Sequence, residues 1–187
     1  MDPWERVVYT IKCDLDTALI DGKRQRVAGR VVLVRFDGFT YEYRKVLDTY
    51  VKYPPRTVVD FHERYSRLTP ALLSSGIDRE SVVDVVLKLV SGQMLVTFAG
   101  RTVFAALGIN DYVIDRYVYK HIELQDHFKR QDGQPYALGP LIVYFGYRVH
   151  GRQVVLNRDL VQDAYFQLRL YNDHYSANDL SIRCTRS

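Results

Sequence analysis

Residues 7–16 read Val7-Val8-Tyr9-Thr10-Ile11-Lys12-Cys13-Asp14-Leu15-Asp16. The first seven are mostly β-branched, aromatic or apolar, the composition of a strand that packs on a sheet. Two carboxylates follow at its end. Along a strand, positions i and i+2 face the same side, so Asp14 and Asp16 are expected to converge on one point. Paired carboxylate oxygens suit a hard cation such as Mg²⁺ or Mn²⁺. Asp-x-Asp alone is common at solvated loop ends; its position directly after a core strand is what gives it weight.

Outward from that stretch, residues 21–26 (Asp21-Gly22-Lys23-Arg24-Gln25-Arg26) read as a polar loop, and residues 30–36 as a second strand. Asp37-Gly38 is a turn signal, and residues 39–51 alternate as a third strand. Three strands in succession make an antiparallel meander. Tyr53-Pro54-Pro55 breaks the pattern, and residues 56–75 are irregular. Asp78 is placed to cap a helix ending near Gly92, followed by a buried strand at residues 94–98. A short helix spans 99–107 and closes at Gly108, and residues 112–115 read as another strand. Residues 125–134 form a loop, residues 138–149 an apolar helix, and Asp159 caps a final helix to about Tyr171. Meander first, then alternating helix and strand, is the order of an α/β fold: a ribonuclease H-like mixed sheet, antiparallel meander plus parallel strands, with helices on both faces.

The chain has 187 residues, the size of one domain. Residues 1–175 are expected to form it, with residues 176–187 a polar tail. No apolar run approaches the roughly 20 residues of a membrane-spanning helix, and the charged N-terminus lacks a signal-peptide core. These features fit an intracellular protein, cytoplasmic or nuclear, with no membrane partner. Two cysteines, Cys13 in a strand and Cys184 in the tail, imply no disulfide. A formal charge of +4 permits a nucleic-acid partner without requiring one. Fifteen tyrosines offer surface for a protein partner, for self-assembly or for stacking on bases. The sequence holds no glycine-rich phosphate loop, no zinc spacing and no nucleophile elbow.

Asp14-Leu15-Asp16 resembles the Asp-x-Glu motif of the DEDD-type (DnaQ-like) 3′–5′ exonucleases, most of all the RNA exonuclease group that includes the interferon-stimulated exonuclease. Residues 59–70 (Val59-Asp60-Phe61-His62-Glu63-Arg64-Tyr65-Ser66-Arg67-Leu68-Thr69-Pro70) are similar to that family's D-Y-x-T-R-x-S-G-I-T segment. Residues 86–96 match its helix, glycine turn and apolar strand. Asp115 resembles its strand-terminal Asp, and Gln162-Asp163-Ala164 its E-D-A on the last helix. The resemblance covers residues 7–172 and implies a metal site of Asp14, Asp16 and Asp163.

Three departures stand out. Residues 97–107 align with G-H-x-x-x-x-D-F-x-x-L, and Val103 stands where the third acid belongs. Arg158 replaces the general-base His five residues before Asp163. Asp16 is one methylene shorter than the usual Glu. A two-metal site holds its ions roughly 3.5–4 Å apart; Val103 cannot ligate, and a guanidinium cannot serve as a base. Arg158 is suited instead to neutralising the acids or gripping a phosphate. His121, His127 and His150 lie too far along the chain to replace the missing base.

The expectation is thus a catalytically degenerate exonuclease-like domain with vestigial Asp14, Asp16 and Asp163, binding single-stranded RNA or a protein and needing either no cofactor or one Mg²⁺ or Mn²⁺. Arg158, Lys23, Arg24 and Arg26, with Arg30 nearby, are the candidate nucleic-acid contacts. Two alternatives stand beside it. One is an active metal-dependent exonuclease with displaced residues, Asp111 or Asp115 supplying the third acid. The other is a structural, self-assembling protein, homo-oligomeric through its tyrosines.

Overall fold

The structure, a computed structural model, describes residues 7–54, 56–61, 68–146, 148–149, 152–153 and 159–175. The first strand, β1 (Val7–Ile20), is twice as long as the sequence suggests. It continues through Asp14 and Asp16 into a two-residue hairpin with β2 (Lys23–Asp37). Asp21 and Gly22 turn the chain with φ of 51° and 73°, the left-handed pair a type I′ hairpin requires. Residues 23–26 are therefore strand and not loop: register with β1 outweighs their polar composition, Ile20 opposing Lys23 and Thr17 opposing Arg26. β3 (Glu42–Lys52) completes the antiparallel meander.

β4 (Val58–Asp60) pairs antiparallel with the far half of β1, and α1 (Pro70–Ser74) follows, capped by the Thr69 hydroxyl. β5 (Ile77–Asp78) adds to β3 in parallel. The Asp78 carboxylate accepts from Ser81 N at 2.9 Å and starts α2 (Arg79–Val90). β6 (Met94–Thr97) runs parallel to β1. α3 (Gly100–Leu107) ends at Gly108 in the left-handed region, as a glycine stop should.

Residues 111–117 are a helix, α4 (Asp111–Tyr117), and not the expected strand. The Asn110 side chain accepts from Val113 N and caps it, and that cap overrides the β-propensity of Tyr-Val-Ile. The strand falls later, at β7 (Lys120–Glu123), parallel to β6. α5 (Leu138–Tyr144) is shorter than expected, closing near Gly146 (φ 64°) ahead of a two-rung hairpin of β8 (Arg148–Val149) and β9 (Arg152–Gln153). α6 (Leu160–Leu170) is the last α-helix described.

Among the described residues, seven strands join in one sheet of order β5-β3-β2-β1-β6-β7, with β4 on β1. Alternation sorts its side chains into two apolar layers. Val8, Val32, Val34, Met94 and Val96 pack with α5 and α6. Tyr9, Ile11, Val31, Leu33 and Leu95 pack with α2, α3 and α4 on the other side. Helices thus cover both faces.

Candidate nucleic-acid and metal site

β1 changes partner along one edge. Val8 to Thr10 pair with β6, whereas Thr17 and Ala18 pair with β4. Between those ladders lie Asp14 and Asp16. The opening sits where strand connections diverge, the usual place for a ligand cleft in such sheets. Opposite it, β2 carries one extra residue: Arg30 pairs with Asp14 and Ala28 with Leu15, so Gly29 forms a bulge. A Cβ on Gly29 would meet Asp16 Oδ2 and Leu68 Cδ1, both at 2.4 Å. The glycine is what leaves room for the Asp16 carboxylate.

Asp16 is fully buried, and neither of its oxygens receives a hydrogen bond. Burial, with Asp14 and Asp60 adding repulsion, pushes its pKa up to about 7. Asp14 is raised to about 6, first by burial, against which Arg30 pulls downward; Asp159, Asp163 and Asp48 add repulsion. Asp163 projects from the first turn of α6. Asp14 thus feels the charge of Asp163, and Asp16 that of Asp14.

Arg30 is the cation of this neighbourhood. Its Nε and Nη2 donate to Asp48 Oδ1 and Oδ2 at 2.9 and 3.1 Å, and its Nη1 donates to Asp159 Oδ1 at 2.9 Å. A bidentate fork of this kind is fixed in geometry as well as charge. Lys45 also reaches Asp48, at 2.7 Å. The Asp159 carboxylate thus faces Arg30 and makes no side-chain cap bond to α6.

Other expected residues stand elsewhere. Val103 is 5 % exposed and belongs to the apolar layer with Ile11 and Phe104, on the sheet face opposite α6. Asp115 is exposed on α4 and ends no strand. Arg158, His150, Cys184 and residues 176–187 lie outside the described residues, as do residues 62–67 of the second family-like segment. Lys23, Arg24 and Arg26 are exposed on the hairpin arm. Among the described residues no three His, Cys, Asp or Glu groups stand at metal-holding spacing.

The sequence reading missed Glu123, at the end of β7. Its carboxylate accepts from Ala99 N and Gln125 N through Oε1 (3.0 and 3.1 Å) and from Gly100 N and Thr97 Oγ1 through Oε2 (2.6 and 3.0 Å). It closes the start of α3, where Ala99 holds φ of 63°, and His121 Nε2 lies 2.8 Å from the same Thr97 hydroxyl. Glu123, not Asp115, is the acid at the end of a parallel strand; the available signal was the run Lys120-His121-Ile122-Glu123, passed over for Tyr112-Val113-Ile114.

No family model matches the sequence, and no curated relative is found by sequence. Solved structures do match. The pseudoubiquitin hydrolase–RNA exonuclease module of Saccharomyces cerevisiae Pan2 superposes with a TM-score of 0.68 at 19% identity, over 96% of this chain and 30% of that one. The same module in complex with AAGGAA RNA gives 0.65 at 16% identity, over 96% and 31%. A 3′-exonuclease that recognises the histone mRNA stem-loop gives 0.64 at 16% identity, over 96% and 66%.

The fold is that of the DEDD-type 3′–5′ exonucleases. This chain spans about a third of the Pan2 module. β1 carries Asp14 and Asp16 and α6 carries Asp163, the residues that the sequence resemblance set against the family's acids. The helix after β6 carries Val103 at the position the resemblance assigns to the third acid. Among the described residues no helix is long and apolar enough to cross a membrane.

Proposed function

We propose that this chain is a catalytically degenerate DEDD-type domain that binds single-stranded RNA in the cleft between β4 and β6. What carries the reading is Asp16, fully buried with two oxygens that no donor reaches, beside an Asp14 whose proton affinity is also raised. A buried carboxylate without a donor costs free energy unless a cation or a proton answers it. Asp14, Asp16 and Asp163 are the oxygen donors that would hold one hard ion, and they would have to draw together to do so, since no three acids stand at metal-holding spacing among the described residues. Such an ion would neutralise the cleft so that a phosphodiester could approach. They do not fit two ions, because Val103 lies in an apolar layer and cannot ligate.

The hairpin arm supports an RNA partner. Lys23, Arg24 and Arg26 are exposed, form no ion pair among the described residues, and lie on the same two-stranded ladder as Asp16. Cations placed so would hold a phosphate backbone leading toward the cleft. Neighbours of the same fold are solved with RNA. The role assigned to Arg158 from sequence, a phosphate contact or counter-charge, remains part of this proposal.

The test has two arms. Fluorescence anisotropy with labelled single-stranded RNA at low salt should show binding that Mn²⁺ strengthens and that Lys23→Ala/Arg24→Ala/Arg26→Ala weakens. The same RNA incubated with Mn²⁺ should stay intact. Cleavage abolished by Asp14→Ala would mark an active exonuclease instead, and absence of binding would favour a protein partner.

A further inference from the structure

A second cavity, of about 720 Å³, lies against β7, the outer strand of the sheet. None of its lining residues belongs to the acid cleft. Arg101 from the first turn of α3, Lys120 from β7 and Lys129 from the following loop supply positive charge. Lys120 and Lys129 are exposed and form no ion pair among the described residues. Three acids also line the cavity, but they are not equivalent. Glu123 turns its carboxylate toward four protein donors, so its charge is answered from within. Asp115 and Asp126 stand exposed.

A purely anionic ligand would leave those two carboxylates opposed. A ligand that carries both an anionic group and hydroxyl donors answers the cations and the two exposed acids alike. We propose that this cavity holds one ribonucleotide unit of a single-stranded RNA, its phosphate on Arg101, Lys120 and Lys129 and its ribose hydroxyls on Asp115 and Asp126. Phosphate accepts charge-assisted bonds from Lys and Arg, and the 2′-hydroxyl is the group that separates RNA from DNA. The volume falls within the range of small-ligand sites. The inference rests on the RNA-binding reading for the polymer, and adds a second contact on a different edge of the sheet.

The experiment is an amide NMR titration of the whole chain with AMP and with deoxy-AMP, at low salt and without divalent cation. Shifts at Arg101 and at residues 120–123 are expected, with AMP bound several-fold more tightly than deoxy-AMP. Replacing Lys120→Ala and Lys129→Ala together should weaken AMP by about tenfold or more. Equal affinity for the two nucleotides, shifts confined to the neighbourhood of Asp14 and Asp16, or no shift at all would overturn the proposal. The two readings fail separately. RNA that binds wild type and the double variant alike, with no shift on β7, sinks this site and leaves the cleft standing. AMP on β7 with no RNA held at the cleft does the reverse.

Discussion

Gly29 sits so close beneath Asp16 that a Cβ added there would lie 2.4 Å from Asp16 Oδ2. The bulge glycine and the buried acid are therefore one unit. Gly29→Ala should lower stability by about 1–3 kcal/mol through overpacking. Combined with Asp16→Ala, the loss should be smaller than the sum of the two single effects, because the clash loses one of its partners. Urea melts of the two single variants and the double variant check this; additive losses would show that Leu68 alone opposes the new methyl.

Arg30 joins Asp48 on β3 to Asp159 at the head of α6. Removing it leaves two acids without their principal donor, next to Asp14. Arg30→Ala should cost about 1–3 kcal/mol, discounted for partial exposure. Arg30→Lys should recover little, since an ammonium cannot reproduce the bidentate fork. Thermal melts of both variants provide the comparison, and full rescue by lysine would reduce Arg30 to a point charge.

Asp14 and Asp16 titrate near pH 6 and 7 when folded, well above their ordinary values, because burial disfavours the charged form. A carboxyl raised on folding stabilises the protein while protonated. Its contribution is complete below about pH 4 and is lost as pH rises through about 6 to 7. Apart from other groups, Tm should fall across that window by a few degrees, about 2–4 °C for each kcal/mol. Mn²⁺ should restore it at the alkaline end, by mass action on the folded state. Asp16→Asn should flatten the pH profile and remove the Mn²⁺ effect. A Tm that Mn²⁺ leaves unmoved at about pH 8 would remove the cation from the proposal.

Much of the fold was legible because its signals are local. The Asp78 cap, the Gly108 stop and the apolar run at β6 each sit within a few residues of what they specify. Helix 111–117 was misread as a strand because Tyr112, Val113 and Ile114 favour β structure, whereas the Asn110 cap, not considered in the sequence reading, decides it in the chain. That Asp14 and Asp16 share one strand follows the two-residue repeat. The roles of Arg30 and Glu123 were not legible. Arg30 meets Asp159 across 129 positions and Glu123 meets Gly100 across 23. Only the register between strands and the docking of helices make those encounters. Arg30 looked like part of a basic run in sequence, yet the bulge at Gly29 separates it from Arg26 and turns it toward the acids.

Val103 offers a direct test of whether activity could be restored by supplying the missing acid. It is buried among apolar groups on the sheet face away from α6. Val103→Asp should therefore lower stability by about 3 kcal/mol or more, through an unanswered buried carboxylate, and should not confer Mn²⁺-dependent cleavage of RNA. A stable, cleaving variant would show that the residue can turn into the cleft.

The buried bond from Thr10 Oγ1 to Gln167 Oε1, 2.5 Å long, ties β1 to α6 across 157 positions. The meander between them is made of neighbours and can zip locally, whereas this closure must await residue 167. Asp14 and Asp163 thus become neighbours only after the elements between them are made. A nascent chain emerging from the ribosome would carry its first acids long before it could gather them with the last.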